Sequence, residues 1–305
     1  MTVWLAVLID LTVRDSVSSL AFVFYATPPV VVAVLAFVLT WIGRTVRGVP
    51  SDRVRLVVNR ATALLGVICL VQWAADSFRV GPAGEHPAGT LKVMFWNVAD
   101  GRFASWERIA EQACGFDADV LAFAEARGKK LKSREFWDAN FPGYSALRLK
   151  AGMVLLIKGQ AAEKAAGSLE DMGEFRLLSL EVRGSRFDIL MADLTSNPLR
   201  SRSAALAKLY TVMQGQSTIP TLVVGDFNTP PTSVCFDDWR IEWTRAWDAA
   251  GNGYQPTWPQ PLPILALDHV WGNKGIEFQH CRCGWSSCSD HRPVIVEVTV
   301  KDDGQ

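Results

Sequence analysis

Residues 17–43, VSSLAFVFYATPPVVVAVLAFVLTWIG, run for 27 positions without a charged side chain. No other feature restricts the chain as much. A helix crosses the hydrocarbon core of a bilayer with ~20 apolar residues, and this stretch is longer. Pro28 and Pro29 interrupt it, and proline removes a helix donor and disfavours helix in the residue before it. Two readings are open. One is a single kinked span. The other is a turn, with one helix at about 2–26 and another at about 29–43. The second reading puts Asp10, Arg14 and Asp15 in lipid, which is costly unless they pair. A further span is expected over 54–77, where Arg60 snorkels. The apolar material continues too far for a cleaved signal peptide, and no small-residue cleavage site follows a basic start.

Residues 1–78 are therefore expected to be a membrane anchor of two or three transmembrane helices. Arg44, Arg47, Arg53 and Arg55 lie between the last two spans, and positive loops stay on the cytoplasmic side. That orientation puts the chain beyond residue 78 on the extracytoplasmic face of a multi-pass cell (inner) membrane protein. The Gly/Pro-rich stretch 79–90 reads as a linker in which His86 is solvated, and 91–305 as a separate domain.

The chain has 31 basic and 31 acidic residues, of which seven and four fall in residues 1–80, leaving 24 basic and 27 acidic. A protein that grips long duplex DNA without sequence preference carries a basic surface, so nucleic acid is not the favoured partner. Cys281, Cys283 and Cys288 lack a second metal-binding pair, which argues against zinc. A disulfide and buried free thiols both fit them.

From Leu91 the pattern changes to apolar runs of strand length. Strands are expected at 91–98, 119–126, 152–158, 175–182, 186–194, about 221–226, 265–272 and 292–300, with Gly184 as a hairpin turn. Helices are expected at 105–116 and 198–213. Many strands with few intervening helices suggest an α+β domain, a sheet pair covered by helices. Trp239, Trp243 and Trp247 recur at spacing four, as a core helix stripe does.

Polar residues close these strands: Asn97, Glu125, Asp193, Asp226, Asn228, Asp268 and Asp290-His291. Any one alone reads as a turn residue. Together they are oxygen ligands and one histidine delivered repeatedly to strand ends, as rigid sites are built.

These residues lie in FWNV (Asn97), FAEA (Glu125), GDFN (Asp226, Asn228), LDHV (Asp268) and SDHRPV (Asp290, His291). In that order and spacing the chain from Leu91 to about Val300 resembles the endonuclease/exonuclease/phosphatase superfamily, DNase I-like. The segment YQPTWPQPLPILALDHV (254–270) further resembles the bacterial membrane-anchored members. The resemblance implies a four-layer α/β/β/α sandwich and a divalent-metal-dependent phosphohydrolase. One position departs from it: Asp193 stands where the family usually has a histidine that contacts the phosphate or assists the leaving group.

On that resemblance the chemistry assigns roles. Hard oxygen donors suit Mg²⁺ or Mn²⁺, with Glu125 as principal ligand, Asn97 beside it and Asp290 completing the set. His291 is the expected general base and Asp268 the carboxylate that aims it. Asp226 orients the attacking water or assists the leaving oxygen. Asn228 offers an amide N–H to a non-bridging oxygen, because side chains two apart on a strand share a face, and Pro230-Pro231 keep the exit extended. Asp193 and Trp258 join Asn228 as substrate-binding candidates. Arg200 and Arg202 read as a solvated helix face, with phosphate contact as the alternative, and His269 as a residue that packs or caps its strand. The expected substrate is a phosphate ester or pyrophosphate near the bilayer, lipid-linked ones included. A membrane-tethered nuclease (phosphodiesterase) and a non-catalytic binding module are the alternatives.

Overall fold

A computed structural model describes residues 2–45, 52–81, 87 and 89–301. Residues 82–86 and 88 of the expected linker, including His86, lie outside the described residues, as does Arg47. The chain divides into two compact units, Met1–Phe78 with Asn197–Ser201, and Arg79–Ser196 with Arg202–Gln305.

The first unit is helical: α1 (Thr2–Thr12), α2 (Ser18–Ala26), α3 (Pro29–Thr45) and α4 (Asp52–Ser77). A continuous helix over 2–26 does not form. The chain breaks after Thr12, and Arg14 takes a left-handed φ of 45°. Asp15 is buried there and accepts a hydrogen bond from the Tyr25 hydroxyl at 3.0 Å. Between α2 and α3 the axis bends by 70° at Pro28-Pro29. Among the described residues α4 is the one helix long and apolar enough to cross a bilayer alone, and the bent α2–α3 pair passes that test as one broken span. Arg44 ends α3, while Arg53 and Arg55 lie in the first turns of α4. Ala33 and Ala36 of α3 and Leu65 and Cys69 of α4 form a small core. Leu35 and Trp41 on α3, and Leu64 and Val71 on α4, are exposed.

The second unit is mixed α+β. The strands of its two large sheets are β1 (Leu91–Asn97), β2 (Val120–Ala124), β3 (Ser145–Arg148), β4 (Val154–Ile157), β5 (Gln160–Ser168), β6 (Gly173–Val182), β7 (Ser185–Leu194), β8 (Thr221–Asp226), β9 (Thr244–Arg245), β10 (Asp268–Gly272), β11 (Ile276–Cys283) and β12 (Val294–Val300). They form two six-stranded sheets, ordered β11-β12-β1-β2-β4-β3 and β9-β10-β8-β7-β6-β5. Each sheet holds one parallel pair, β1 with β2 and β7 with β8.

Three cores separate four layers. One lies between the sheets and takes alternate residues from both, among them Val93, Phe95, Ala122, Met191, Val224 and Val270. The opposite face of the first sheet packs Met94, Trp96 and Leu121 with Ile109 and Ala113 of α5 (Trp106–Gly115) and Trp137 of α6 (Arg134–Asn140). The opposite face of the second packs Leu190 and Val223 with Leu206 and Leu209 of α7 (Ser203–Gln214). Period-2 side-chain alternation lets each strand feed two cores.

Several expectations change. The helix expected from 198 begins at Ser203, because the Asn197 carboxamide accepts from Leu199 N at 3.0 Å and holds a turn. Arg202 is buried at the start of α7 and is no solvated surface residue. Trp239, Trp243 and Trp247 are core residues, but on no common helix. The helices here are α8 (Trp239–Glu242) and α9 (Ala246–Ala250), with β9 between them. Trp239 and Trp243 fill the core against α7, and Trp247 fills the one between the sheets. Cys281 and Cys288 pack on opposite sides of their sheet, so no disulfide joins them, and all three thiols are free.

Candidate active site

The polar cluster is a continuation of the core between the sheets. Asn97 lies two residues beyond Phe95, Asp193 two beyond Met191, Asp226 two beyond Val224, and Asp268 two before Val270; all four apolar residues belong to the core between the sheets. Side chains two apart share a face, so the carboxylates point into the same gap where its apolar filling stops. Register aligns them. Asp193 is paired with Asp226 across the parallel β7–β8 ladder, and Asp226 with Asp268 across the antiparallel β8–β10 ladder. Gly225 permits that close pairing, since a Cβ there would lie 2.4 Å from the Ala192 carbonyl oxygen.

His291 completes the cluster from the other sheet, three residues before β12. Its Nδ1 lies 2.9 Å from Asp268 Oδ2 and its Nε2 3.7 Å from Asp226 Oδ2. The approach to His291 is fixed by backbone bonds: Ser289 Oγ donates to Asn97 O at 2.8 Å and accepts from His291 N at 3.1 Å, while Trp96 Nε1 donates to His291 O at 2.9 Å. Asn97 Nδ2 donates to Asp226 Oδ2 at 2.9 Å, and its Oδ1 accepts from Ala99 N at 2.9 Å.

Glu125 follows β2 in a left-handed conformation, φ 48°, which is uncommon away from glycine. Arg102 Nη2 lies 3.3 Å from its carboxylate. Asp290 is held by Trp258, whose Nε1 donates to its Oδ2 at 3.2 Å. The strand β8 ends at Asp226, and Asn228 takes φ 48°. Strand alternation therefore does not place Asn228 beside Asp226. Instead Asn228 N donates to Asp226 Oδ1 at 2.9 Å, and Asn228 Nδ2 donates to Leu194 O at 2.7 Å. Nor does the exit run extended: Ser233 N donates to Pro230 O at 3.0 Å and closes a turn.

The electrostatics are those of crowded carboxylates. Burial pushes Asp226 up to about 7, with Asp268 adding to the rise and His291 and Asn97 opposing it. Asp193 is raised well above the usual carboxylate range by burial and by Asp226 and Glu125. Burial lowers the His291 pKa, but Asp268 and Asp226 outweigh it and hold the imidazolium up to about 10. One oxygen each of Asp226 and Asp268 and one ring nitrogen of His291 lie within 4.8 Å of one another. Asp268 Oδ1 is buried with no hydrogen-bond partner among the described residues. Glu125 and Asp290 act electrostatically on Asp193 and His291, and Asn97 bonds Asp226, so their hard oxygens border this crowd of carboxylates, a setting that fits a divalent cation.

His269 points from β10 to the other face of its sheet, packed among Phe227, Phe236 and Trp271. Its Nε2 lies 3.1 Å from Ala266 O. Sequence reasoning did not foresee Arg292. It is buried and donates to the carbonyls of Gly284, Tyr254, Pro256 and Cys283, tying the loop that carries Trp258 to the one that carries His291. Its adjacency to His291 was the one available signal.

Comparison with known proteins agrees with this architecture. No curated protein sequence matches the chain. Solved structures do. A mannosyl-6-phosphatase from Bacteroides thetaiotaomicron superposes with a TM-score of 0.54 at 16% identity, covering 68% of this chain and 99% of that one. The human Nocturnin catalytic domain with a bound sulfate anion gives 0.53 at 18% identity, covering 71% and 97%. D. rerio TDP2 complexed with a single-strand DNA product gives 0.54 at 12% identity, covering 69% and 99%. At these identities the likeness is one of fold. A sequence model of the endonuclease/exonuclease/phosphatase family matches residues 94–291, which is most of the second unit and takes in every strand end described above. With two facing sheets, a polar cluster closing the gap between them and that match across it, the chain belongs to the endonuclease/exonuclease/phosphatase family.

Proposed function

We propose that the protein is a divalent-metal-dependent phosphoric ester hydrolase, anchored in the cell membrane with its active site on the extracytoplasmic side. The observation that carries the chemistry is the His291–Asp268 pair, 2.9 Å apart and facing the Asp226 carboxylate. Its neighbours in fold include a mannosyl-6-phosphatase and a protein solved with a DNA product, so phosphate-ester chemistry is their common ground.

Glu125, with Asn97 and Asp290, would hold Mg²⁺ or Mn²⁺. A bound divalent cation would offset the charge of the phosphoryl oxygens and of the surrounding carboxylates, which brings His291 down toward a range where it accepts a proton. Asp268 fixes the imidazole through Nδ1, so Nε2 is the nitrogen that faces the reacting water. As that water attacks phosphorus, His291 takes its proton and Asp268 stabilises the imidazolium. Asp226, held by Asn97 and by Asn228 N, orients the water or assists the leaving oxygen. Trp258 steadies Asp290, and Asn228 and Asp193 border the phosphate site.

The anchor reading is supported by α3 and α4, whose outward faces expose Leu35, Trp41, Leu64 and Val71. Only 22% of the most apolar window of α4 is buried. Tethering raises the effective concentration of substrate at a bilayer, which favours a lipid-linked phosphate ester or pyrophosphate over nucleic acid. Two measurements test the reading. Purified full-length protein should release phosphate from lipid phosphates with Mg²⁺ and not with EDTA, and robust DNA cleavage without lipid phosphate turnover would replace it by a nuclease. In fractionated cells the protein should resist carbonate extraction from membranes, and a C-terminal alkaline phosphatase fusion should be active.

A further inference from the structure

We propose that Thr257 and Arg292 are positioning residues that set the spacing between His291 and Asp268. The inference rests on the hydrolase reading and adds two residues to it, neither of which touches the reacting atoms.

His291 precedes a strand of one sheet and Asp268 opens a strand of the other. No strand of one sheet pairs with a strand of the other among the described residues. A separate tie must therefore hold the two side chains at 2.9 Å. The segment 254–258, YQPTW, is bonded to both. Toward Asp268, the buried Thr257 hydroxyl oxygen accepts from Leu267 N at 3.1 Å and from Asp268 N at 3.4 Å. Toward His291, Thr257 O accepts from Arg292 N at 2.9 Å. Thr257 thus grips the backbone of Asp268 with its side chain, and the residue next to His291 with its main chain.

Arg292 anchors the same segment. Its Nη1 donates to Tyr254 O at 2.9 Å and to Pro256 O at 2.7 Å. Its Nε and Nη2 donate the other way, to Gly284 O at 3.0 Å and Cys283 O at 2.8 Å, where β11 ends. The guanidinium carbon lies 4.1 Å from the centre of the Trp285 ring and 5.4 Å from that of Tyr254. Among the described residues the side chain donates to carbonyls alone, and no carboxylate pairs with it. A buried charge without a counter-ion is a poor source of stability. A planar fork reaching four carbonyls in fixed directions is a source of geometry. An aliphatic side chain of that volume could fill the space, but it could not tie 254–256 to 283–284.

Loosening either residue leaves His291 and Asp268 in place in the chain but no longer held at one spacing. A misplacement of about 1 Å costs about 10²-fold in rate, so the tie matters to turnover more than to stability.

The test uses full-length protein in detergent, with Mg²⁺ and a lipid phosphate. Thr257→Val keeps the volume and removes the acceptor. It should lower kcat about tenfold and move KM by less than about threefold. Thr257→Ser keeps the oxygen and should return kcat to within about twofold of wild type. In an Asp268→Asn background Thr257→Val should cost less than about twofold, because the contact it serves is already weakened. Arg292→Lys keeps the charge, loses the fork and should behave as Thr257→Val does. If that variant does not fold, Trp285→Ala strips the exposed ring from over the guanidinium and should lower kcat about threefold. A readout independent of turnover is the His291 Nδ1–H proton, observed by NMR in chelator with nitrogen-labelled histidine and assigned by its loss in His291→Ala. It should exchange slowly in wild type and Thr257→Ser, and rapidly in Thr257→Val.

Full kcat in the variant of either residue removes that residue from the tie. A loss as large in the Asp268→Asn background, or a Thr257→Ser as slow as Thr257→Val, overturns the positioning and leaves the hydrolase reading intact. A slowly exchanging proton in Thr257→Val overturns it whatever the kinetics. Rapid exchange confined to Thr257→Val, with no phosphate released by wild type, supports the positioning and overturns the hydrolase.

Discussion

His291 and Asp268 come from different sheets, yet their side chains meet at 2.9 Å through Nδ1 and Oδ2. An imidazole held this way has one nitrogen committed and one free to act. Replacing His291 by Ala should lower kcat for phosphate release by about 10³-fold, within the range of general acid–base contributions. Asp268→Asn keeps the shape but removes the charge that stabilises imidazolium, and should cost about 10²-fold. Steady-state kinetics on a lipid phosphate check both, with KM expected to move by less than about threefold.

Asp193 and Asp226 face each other across paired strands; burial, with Asp226 and Glu125 beside it, pushes Asp193 up, and burial with Asp268 pushes Asp226 up. A carboxyl with a raised folded pKa contributes stability below its unfolded pKa and loses it as pH rises. In chelator at pH 7.5, Asp193→Asn should therefore raise Tm by a few degrees, equivalent to about 1 kcal/mol. Added Mg²⁺ should raise Tm more in wild type than in the variant. Scanning calorimetry with and without the metal reads both shifts, and a lower Tm for the variant in chelator would refute the repulsion.

His269 has the opposite sign. Burial, with Arg245 adding to it, lowers its pKa to about 3. The unfolded chain takes up a proton near 6.5 that the folded chain refuses until much lower pH. Stability from this residue is thus intact above about 6.5 and falls as pH drops toward 3, by about 1.4 kcal/mol per pH unit for one proton. Urea titrations at pH 7, 6 and 5 should show a shallower decline for His269→Gln than for wild type. Equal slopes would count against a buried neutral ring.

Trp258 steadies Asp290 by a single indole hydrogen bond at 3.2 Å. Hydrogen bonds to charged groups contribute about 1.5–3 kcal/mol. Trp258→Phe keeps the packing and removes the donor. The Mg²⁺ concentration for half-maximal activity should rise about tenfold, and no change would leave Trp258 as a substrate-binding candidate alone.

Much of the architecture is legible in the chain because alternating apolar runs mark strands buried on one or both faces. β5 is not. It is an edge strand, QAAEKAAGS, largely exposed, and nothing apolar announces it. β11 is hidden as well, since its mixed polar sequence gives no clear alternation. The strand-end polar residues stand out because a carboxylate ending a core strand is locally anomalous. Backbone conformation does not. Asn228 and Glu125 are placed by left-handed φ values that no side-chain pattern encodes. The tryptophans at 239, 243 and 247 mislead because equal spacing resembles a helix even when a strand interrupts it.

Asn97, Asp193, Asp226 and Asp268 each stand two positions from an apolar residue of the core between the sheets. Adding one residue to any of these strands would swing its polar group to the helix-covered side, and the neighbouring apolar residue into the polar cluster between the sheets. Strand length is thereby frozen by two demands at once, whereas the loops beyond the strand tips carry neither. Descendants of this chain can acquire new substrates by growing the tip of a loop such as 255–267, and lose the reaction by any odd-numbered insertion in a strand.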